Sequence, residues 1–133
     1  GEAADARHEA LAEYGRLLGV AFQVADDILD CGGSASATGK AVGTDLIGGT
    51  ATLPLLFAAR ADARIADALR DQPPADEVLP LLQIVAGTGA LEEAREAACG
   101  LIRQAEDQLD RVGGDLDTTP LRIAVRGVVD RAT

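Results

Sequence analysis

The sequence predicts an all-α protein, and three observations support this. Hydrophobic residues make up 47% of the 133 residues, but aromatic residues only 2%, so the core must consist mainly of alanine, leucine, valine and isoleucine. Alanine and leucine are strong helix formers, and the aromatic residues that favour strands are almost absent. Apolar residues also recur at intervals of three, four and seven, the spacing of one helix face. We therefore expect a helical bundle that forms a single domain over residues 1–133.

The first predicted helix runs from Glu2 to about Asp30. This stretch contains no proline, and its apolar residues follow a helical period. Gly32 and Gly33 then interrupt the pattern. The residues expected on its apolar stripe are Leu11, Leu18, Phe22, Ala25 and Leu29.

A polar, glycine-rich connection is expected from there to about Thr50. Thr50 or Thr52 would cap the next helix, with Pro54 tolerated in its first turn, and this helix would continue to Leu69. Its apolar positions are predicted at Leu55, Leu56, Ala59, Ala63, Ala66 and Leu69.

Three further helices complete the prediction. After a break over residues 71–76, a short helix is expected from Glu77 to Ala86, ending near Gly87. The strongest helical pattern follows from about Gly89 to Val112, and Gly113-Gly114 ends it. Thr119 as N-cap and Pro120 at the first helical position predict a last helix over residues 121–131. The apolar stripe of the long helix is Leu91, Ala94, Ala98, Leu101, Ala105, Leu109 and Val112.

The charge and the cysteines exclude several classes of protein. A net charge of −10 argues against binding of nucleic acid and of anionic membrane surfaces. Cys31 and Cys99 fit no metal-binding spacing, and we expect two reduced thiols in a cytoplasmic protein. No signal peptide is apparent, and no apolar run reaches the ~20 residues that span a bilayer.

The end of the first helix carries an unusual acidic cluster. On a helix, Asp26 and Asp30 lie one turn apart on the same face, with Asp27 beside them. Gln23 and Phe22 lie one turn earlier. Like charges at this spacing repel each other, and the helix dipole disfavours anions at its C-terminal end. A bound cation would relieve both effects, although a solvated acidic helix end without a ligand remains an open alternative.

The chemistry of the cluster indicates which cation would bind. Carboxylates without histidine or cysteine suit a hard ion such as Mg²⁺ or Ca²⁺, and the spacing is not that of an EF-hand loop. Because Mg²⁺ commonly binds one or two carboxylates together with substrate phosphates, a phosphorylated ligand is expected.

Two glycine-marked segments follow the cluster, Thr38-Gly39-Lys40 and Gly43-Thr44-Asp45. Glycines here would allow the backbone to turn tightly and approach a ligand closely. Lys40, the only lysine of the chain, is a candidate phosphate contact, with an ordinary surface lysine as the alternative. Asp45 is either a further carboxylate of the site or a turn former.

Taken together, these motifs closely resemble the trans-isoprenyl diphosphate synthases, also called polyprenyl synthetases. The resemblance rests on the order and spacing of four segments, with Gly87-Thr-Gly-Ala-Leu-Glu-Glu-Ala-Arg as a fifth, and it extends over essentially the whole chain. The four segments are Gly19-Val-Ala-Phe22-Gln23-Val-Ala-Asp26-Asp27-Ile-Leu-Asp30, Thr38-Gly39-Lys40, Gly43-Thr44-Asp45-Leu46 and Thr52-Leu53-Pro54-Leu55.

The resemblance implies the isoprenoid synthase fold and the joining of an allylic diphosphate to isopentenyl diphosphate with Mg²⁺ as cofactor. It implies that Asp26, Asp27 and Lys40 are catalytic and that Asp26 coordinates Mg²⁺ directly. Asp27 and Asp30 would bind the metal through water or orient the site. Substrate contacts are implied for Phe22 at the reaction cavity and for Gln23, Lys40 and Asp45 at the diphosphate end.

The sequence departs from the family pattern in two respects. Thr50 stands where the family usually has a lysine that contacts diphosphate. The first aspartate-rich motif and the residues that hold isopentenyl diphosphate are expected on helices N-terminal to this segment. We therefore expect the C-terminal part of a synthase, inactive by itself.

Other interpretations remain open at this point. The chain could be a non-catalytic subunit that binds and modulates a synthase partner. An unrelated acidic bundle or a relative of the terpene cyclases is a further possibility. Because the first helix should bury Leu18 and Phe22 against other helices, we also expect a homo-oligomer or a complex with the missing half.

Overall fold

A computed structural model of the chain describes residues 1–32, 42–114 and 116–132. Within these ranges all regular structure is helical, which confirms the predicted all-α class. The elements are α1 (Glu2–Asp30), α2 (Thr44–Gly48), α3 (Leu53–Ala61), α4 (Ala63–Asp71), a 3₁₀ turn (Ala75–Glu77), α5 (Val78–Gly87), α6 (Ala90–Val112) and α7 (Thr119–Ala132).

Several predicted boundaries agree with the structure to within one or two residues. Helix α1 has the predicted bounds, and α5 and α6 begin one residue later than expected. Thr52 is the N-cap of α3, with Pro54 in the first turn. Helix α7 begins at Thr119, two residues before the predicted start, and the Asp117 carboxylate accepts a hydrogen bond from the Thr119 N–H at 3.0 Å.

The prediction of one continuous helix from Thr52 to Leu69 is wrong. The chain is extended at Asp62, where α3 ends and α4 begins. The Asp62 carboxylate accepts a hydrogen bond from the Arg64 N–H at 2.9 Å and pairs with the Arg64 guanidinium at 2.7 Å. These contacts lower the pKa of Asp62 to about 2, and the preference of aspartate for the N-cap explains the break.

The glycine-rich connection contains a helix that the sequence pattern did not reveal, α2, which begins at Thr44. This helix has only five residues, too few for an apolar period to show. Leu46 is its one buried residue. Its N-terminus is part of the candidate site described below.

The chain forms two compact units, one of residues 1–25 with 97–133 and the other of residues 26–96. In the first unit, apolar side chains of α1, α6 and α7 form a buried cluster, and the Tyr14 hydroxyl donates a hydrogen bond to the Leu121 carbonyl at 2.7 Å. The single domain expected over residues 1–133 therefore remains a prediction. The cluster contains Tyr14, Leu17, Ala21, Ile102, Ala105, Leu109, Val125 and Val128.

The buried face of α1 differs from the predicted stripe. Ala25 and Leu29 are buried as expected, but Leu11 and Leu18 are only half-buried and Phe22 is 45% exposed. Other apolar residues, which the predicted stripe omitted, share the face that packs in the core and are buried. The additional buried residues are Ala10, Tyr14, Leu17, Ala21, Val24 and Ile28.

Among the described residues, no helix is both long enough and apolar enough to cross a membrane. The cytoplasmic location remains a prediction.

Candidate metal and diphosphate site

The acidic cluster lies at the C-terminal end of α1. The helix continues without a break through Asp26, Asp27 and Asp30, and all three side chains are half-buried. These residues belong to the second compact unit. The helical spacing inferred from the sequence is therefore correct.

Asp30 binds the backbone at the start of α2. Its Oδ1 accepts a hydrogen bond from the Thr44 N–H at 3.1 Å, and its Oδ2 accepts one from the Asp45 N–H at 2.9 Å. Its carbonyl oxygen also accepts a hydrogen bond from the Gly43 N–H at 2.7 Å. Residues 43–45 are thus attached to the end of α1 by three hydrogen bonds.

The conformation of Gly43 explains why Asp30 is needed there. Gly43 is the N-cap of α2 and has a φ of 81°, a left-handed conformation that favours glycine. A Cβ atom at this position would collide with the Val78 side chain. Glycine has no side chain to cap the helix, and the Asp30 carboxylate binds the free N–H groups in its place.

Cys31 lies buried directly after the cluster. Burial raises the pKa of its thiol to about 12, with further contributions from the charges of Asp30, Asp45 and Asp27. The negative charges of these three carboxylates therefore all disfavour ionisation of the Cys31 thiol at the end of α1. Cys31 and Cys99 are both free thiols, as expected.

The other acidic candidates also have partners. Asp26, Asp27 and Asp45 each take part in a polar or electrostatic interaction within the protein. In residues 1–32, 42–114 and 116–132, no group of three histidine, cysteine, aspartate or glutamate side chains is arranged to hold a metal ion. The described residues thus do not form a complete protein cage for a cation.

Phe22 and Gln23 lie in the first compact unit, and Gln23 is exposed and has an interaction partner. The Arg131 guanidinium lies 5.0 Å from the centre of the Phe22 ring, a cation–π contact that the sequence did not predict. Phe22 also lines an apolar groove of about 510 Å³. The other lining residues are Gly15, Leu18, Gly19, Ala124, Gly127 and Val128.

Lys40, with Thr38 and Gly39, lies outside the described residues. Thr50, at the position where a lysine was expected, is exposed, and its N–H donates a hydrogen bond to the Asp45 carbonyl at 2.8 Å. Thr52 is 8% exposed, and its hydroxyl has no hydrogen-bond partner within the described structure.

Sequence reasoning missed the contact between Asp30 and α2. One signal could have indicated it: Gly43-Thr44-Asp45 has a glycine where a helix needs a capping side chain, so a cap had to come from elsewhere. Nothing in the sequence identified Asp30 as the source.

Comparison with known proteins places these features in context. The family model described as polyprenyl synthetase matches residues 1–84. Octaprenyl diphosphate synthase of Haemophilus influenzae is 54% identical over 56 residues, which is 42% of this chain and 17% of that protein. Nonaprenyl diphosphate synthase of Mycobacterium tuberculosis is 33% identical over 133 residues, or 96% of this chain and 38% of that protein.

A solved structure is similar over almost the whole chain. It is a polyprenyl synthase from Caulobacter crescentus CB15 complexed with calcium and isoprenyl diphosphate. It shares 34% sequence identity with a TM-score of 0.74, over 96% of this chain and 39% of that one. The chain therefore spans less than half the length of these similar proteins.

Proposed function

This chain belongs to the polyprenyl synthetase family, and we propose that it supplies one wall of a prenyl-transfer site. The reaction joins an allylic diphosphate to isopentenyl diphosphate. The observation that supports this most directly is the end of α1, where Asp26 and Asp27 are half-buried and the Thr44-Asp45 backbone is attached to Asp30. This arrangement supports a site in which carboxylates for a metal share the end of α1 with residues 43–45.

We propose Mg²⁺ as the cofactor, held by Asp26 and Asp27. Hard cations prefer carboxylate oxygens, and Mg²⁺ commonly binds one or two of them together with phosphates and water. Such a site needs no cage of three protein ligands, so it is compatible with the side chains present among the described residues. The calcium and isoprenyl diphosphate of the Caulobacter structure support a divalent cation and a diphosphate here.

The residues of this chain have separate tasks in the proposed reaction. Bound Mg²⁺ would act as a Lewis acid that stabilises charge on the departing diphosphate. Lys40 and Gln23 would bind the diphosphate end of the allylic substrate, and Asp45 would support this contact.

Phe22 would act at the apolar end of the same substrate. Its ring is 45% exposed and is therefore accessible to a ligand. Apolar side chains around an allylic cation exclude water, which would otherwise capture the cation. The isopentenyl double bond can then attack the cation, and loss of a proton completes the step.

The remainder of the site would come from outside these 133 residues. Less than half of the length of the similar proteins is represented here, so a second metal-binding wall and the isopentenyl diphosphate contacts can lie on the other part. We propose that this part belongs to the same polypeptide or to a synthase partner, and that the enzyme is a homo-oligomer. The 133 residues alone are then expected to have no activity.

Calorimetry on the chain tests the metal site. We expect inorganic diphosphate to bind in the presence of Mg²⁺, and Asp26→Asn to weaken this binding at least tenfold, the effect expected for a lost metal ligand. Asp107→Asn is the matched control, because Asp107 is an exposed aspartate on the other long helix, α6. Equal binding by the two variants would contradict the proposal.

Activity measurements test whether residues outside this chain complete the catalytic site. In the enzyme that contains this segment, Asp26→Ala should reduce prenyl transfer by at least about 100-fold, because it removes several kcal/mol of transition-state stabilisation. Prenyl transfer by the 133 residues alone, with Mg²⁺ and both substrates, would contradict the proposed second wall.

The exposed Thr50, at the usual lysine position, favours one alternative function. The chain would then be a non-catalytic partner that modulates a synthase. In a purified complex of the chain with such a synthase, unchanged activity of the Asp26→Ala variant would support this alternative. Loss of activity would exclude it.

A further inference from the structure

We propose that Gln72 is a positioning residue of the candidate site, because its side chain holds the C-terminal end of α2. The Gln72 Nε2 donates a hydrogen bond to the Gly48 carbonyl at 3.0 Å. Gly48 is the last residue of α2, and Gln72 directly follows α4, 24 positions later in the sequence. The inference rests on the proposed function, in which Asp45 of α2 contributes to the site.

The backbone of Gln72 is strained. Its φ is 51° and its ψ is 95°. Among the residues that the structure describes, it is the only one other than glycine with a positive φ. A Cβ atom makes this region unfavourable, and a residue stays there only where its surroundings hold it. Strain of this kind is concentrated at functional sites, and the hydrogen bond to Gly48 is one contact that holds Gln72 in this conformation.

Helix α2 depends on contacts from outside itself. It has five residues, and so short a helix is not stable alone, because its first turn is costly to form. The Asp30 carboxylate binds the N–H groups of Thr44 and Asp45 at its N-terminal end. At the other end the carbonyl groups lack partners within the helix, and Gln72 binds one of them, that of Gly48. Side chains from α1 and from the end of α4 therefore hold the two ends of α2.

The turn after α2 packs tightly against the same residue. Gly49 has a φ of 68°, and a Cβ atom there would lie 3.0 Å from the Leu69 carbonyl oxygen and 3.2 Å from Cγ and Nε2 of Gln72. The next residue, Thr50, donates its N–H to the Asp45 carbonyl at 2.8 Å. Loss of the Gln72 contact would thus loosen a turn that is bonded directly to Asp45.

Replacement of Gln72 by glycine separates the strain from the contact. Glycine adopts a positive φ readily, so Gln72→Gly should be at least as resistant to urea as Gln72→Ala, which keeps the strain. Both variants lose the amide group. We therefore expect the Ile47 and Thr50 amides, which report on α2 and its turn, to exchange about fivefold faster in both, the effect of one lost neutral hydrogen bond.

Two further variants control this measurement. Gln72→Glu keeps the length of the side chain but, when ionised, has no N–H to donate, so the two amides should again exchange faster. Gln83→Ala removes an exposed glutamine side chain of α5 in the same unit and should leave both rates unchanged. The amide of Ala58, a buried residue of α3, reports whether each variant is folded. Unchanged exchange of Ile47 and Thr50 in folded Gln72→Gly and Gln72→Glu would overturn the inference.

Binding of Mg²⁺ with inorganic diphosphate distinguishes a positioning role from a purely structural one. We expect Gln72→Gly to weaken this binding by about threefold or more, a smaller effect than that of a residue in direct contact with a metal ligand, whereas Gln83→Ala keeps the affinity of the unmodified chain. Faster exchange with full affinity in Gln72→Gly would overturn the positioning role and leave the proposed function intact. Absence of binding by the unmodified chain would contradict the proposed function, and with it any role of Gln72 in the site.

Discussion

Replacement of Tyr14 by phenylalanine isolates one hydrogen bond in the core of the first unit. The Tyr14 hydroxyl donates to the Leu121 carbonyl at 2.7 Å and connects α1 to α7. The ring itself is buried, so phenylalanine keeps the packing and removes only the hydroxyl. A net hydrogen bond contributes about 1 kcal/mol, and we expect the free energy of unfolding to fall by this amount. For a chain of this size the melting temperature should fall by about 4 °C.

Urea unfolding of the unmodified protein and of Tyr14→Phe at neutral pH measures this difference in the free energy of unfolding. The ring packing should be unaffected, so the two unfolding curves should have the same slope. The hydrogen bond is only partly buried, which limits the cost of removing one of its partners. Equal stability of the two proteins would refute the buried hydrogen bond.

The pH dependence gives a second test of the same contact. Burial raises the pKa of Tyr14 above its ordinary value. The folded state therefore favours the protonated phenol. The contribution of Tyr14 to stability is complete below about pH 10 and is lost as the pH rises through the pKa of the folded state. The stability difference between the unmodified protein and Tyr14→Phe should consequently shrink above about pH 10.

The ionisation of Tyr14 can be followed directly. The chain has one tyrosine and no tryptophan, so the near-ultraviolet absorbance of the phenolate reports Tyr14 alone. The urea-unfolded chain is the control, and its phenol should ionise at about pH 10. Ionisation at the same pH in the folded and unfolded chains would refute the burial argument.

Three further predictions concern the second unit and the thiols. Leu55→Ala should lower the free energy of unfolding by about 2–5 kcal/mol, because Leu55 is 0% exposed. The neighbouring Leu56→Ala should change it by about 0.5 kcal/mol or less, because Leu56 is 48% exposed. Urea unfolding measures both changes, and similar losses would contradict the buried and exposed faces of α3. Gly43→Ala should destabilise the chain by more than about 1 kcal/mol in the same assay, because alanine is strained at a φ of 81°, and an unchanged stability would contradict the left-handed conformation. Cys31 should react with a thiol reagent much more slowly than Cys99 at pH 8, because burial raises the Cys31 pKa to about 12, and equal rates would contradict its burial.

The sequence predicted the long helices well because their signals are local. The apolar stripe of α6 recurs over six turns, and Leu101 alone among its predicted positions is only half-buried. The end of α1 is marked by Gly32, which has a φ of 98°. Helix propensity and glycine breaks operate within a few residues, so a single sequence contains them in full.

The errors occurred where neighbouring structure decides the outcome. Counting large apolar residues placed Phe22 on the buried face of α1, but the core uses Tyr14 and Leu17 together with small alanines. Alanine-rich faces carry little hydrophobic contrast, so a periodic pattern cannot locate them accurately. The division of the second predicted helix at Asp62 was similarly hidden, because alanines on both sides of Asp62 favour a continuous helix.

The acidic cluster itself was predicted in position but only partly in its interactions. The sequence argument treated the three aspartates alike, as anions that the C-terminal end of a helix disfavours and that a cation would stabilise. In the structure, the Asp30 charge lies at the N-terminal N–H groups of α2, where a helix favours an anion. The penalty at the end of α1 is therefore offset at Asp30 by these two hydrogen bonds.

This distribution of charge alters what a cation must do. Hydrogen bonds from α2 already stabilise the Asp30 charge, and in the proposed site a metal would act on Asp26 and Asp27, which are adjacent in sequence and half-buried. Periodicity could not reveal this, because the N–H groups that bind Asp30 follow it by 14 and 15 residues across a glycine-rich connection. The motif would thus combine two tasks on one helix end: in the proposed site Asp26 and Asp27 hold a divalent cation, while Asp30 attaches the backbone of residues 43–45.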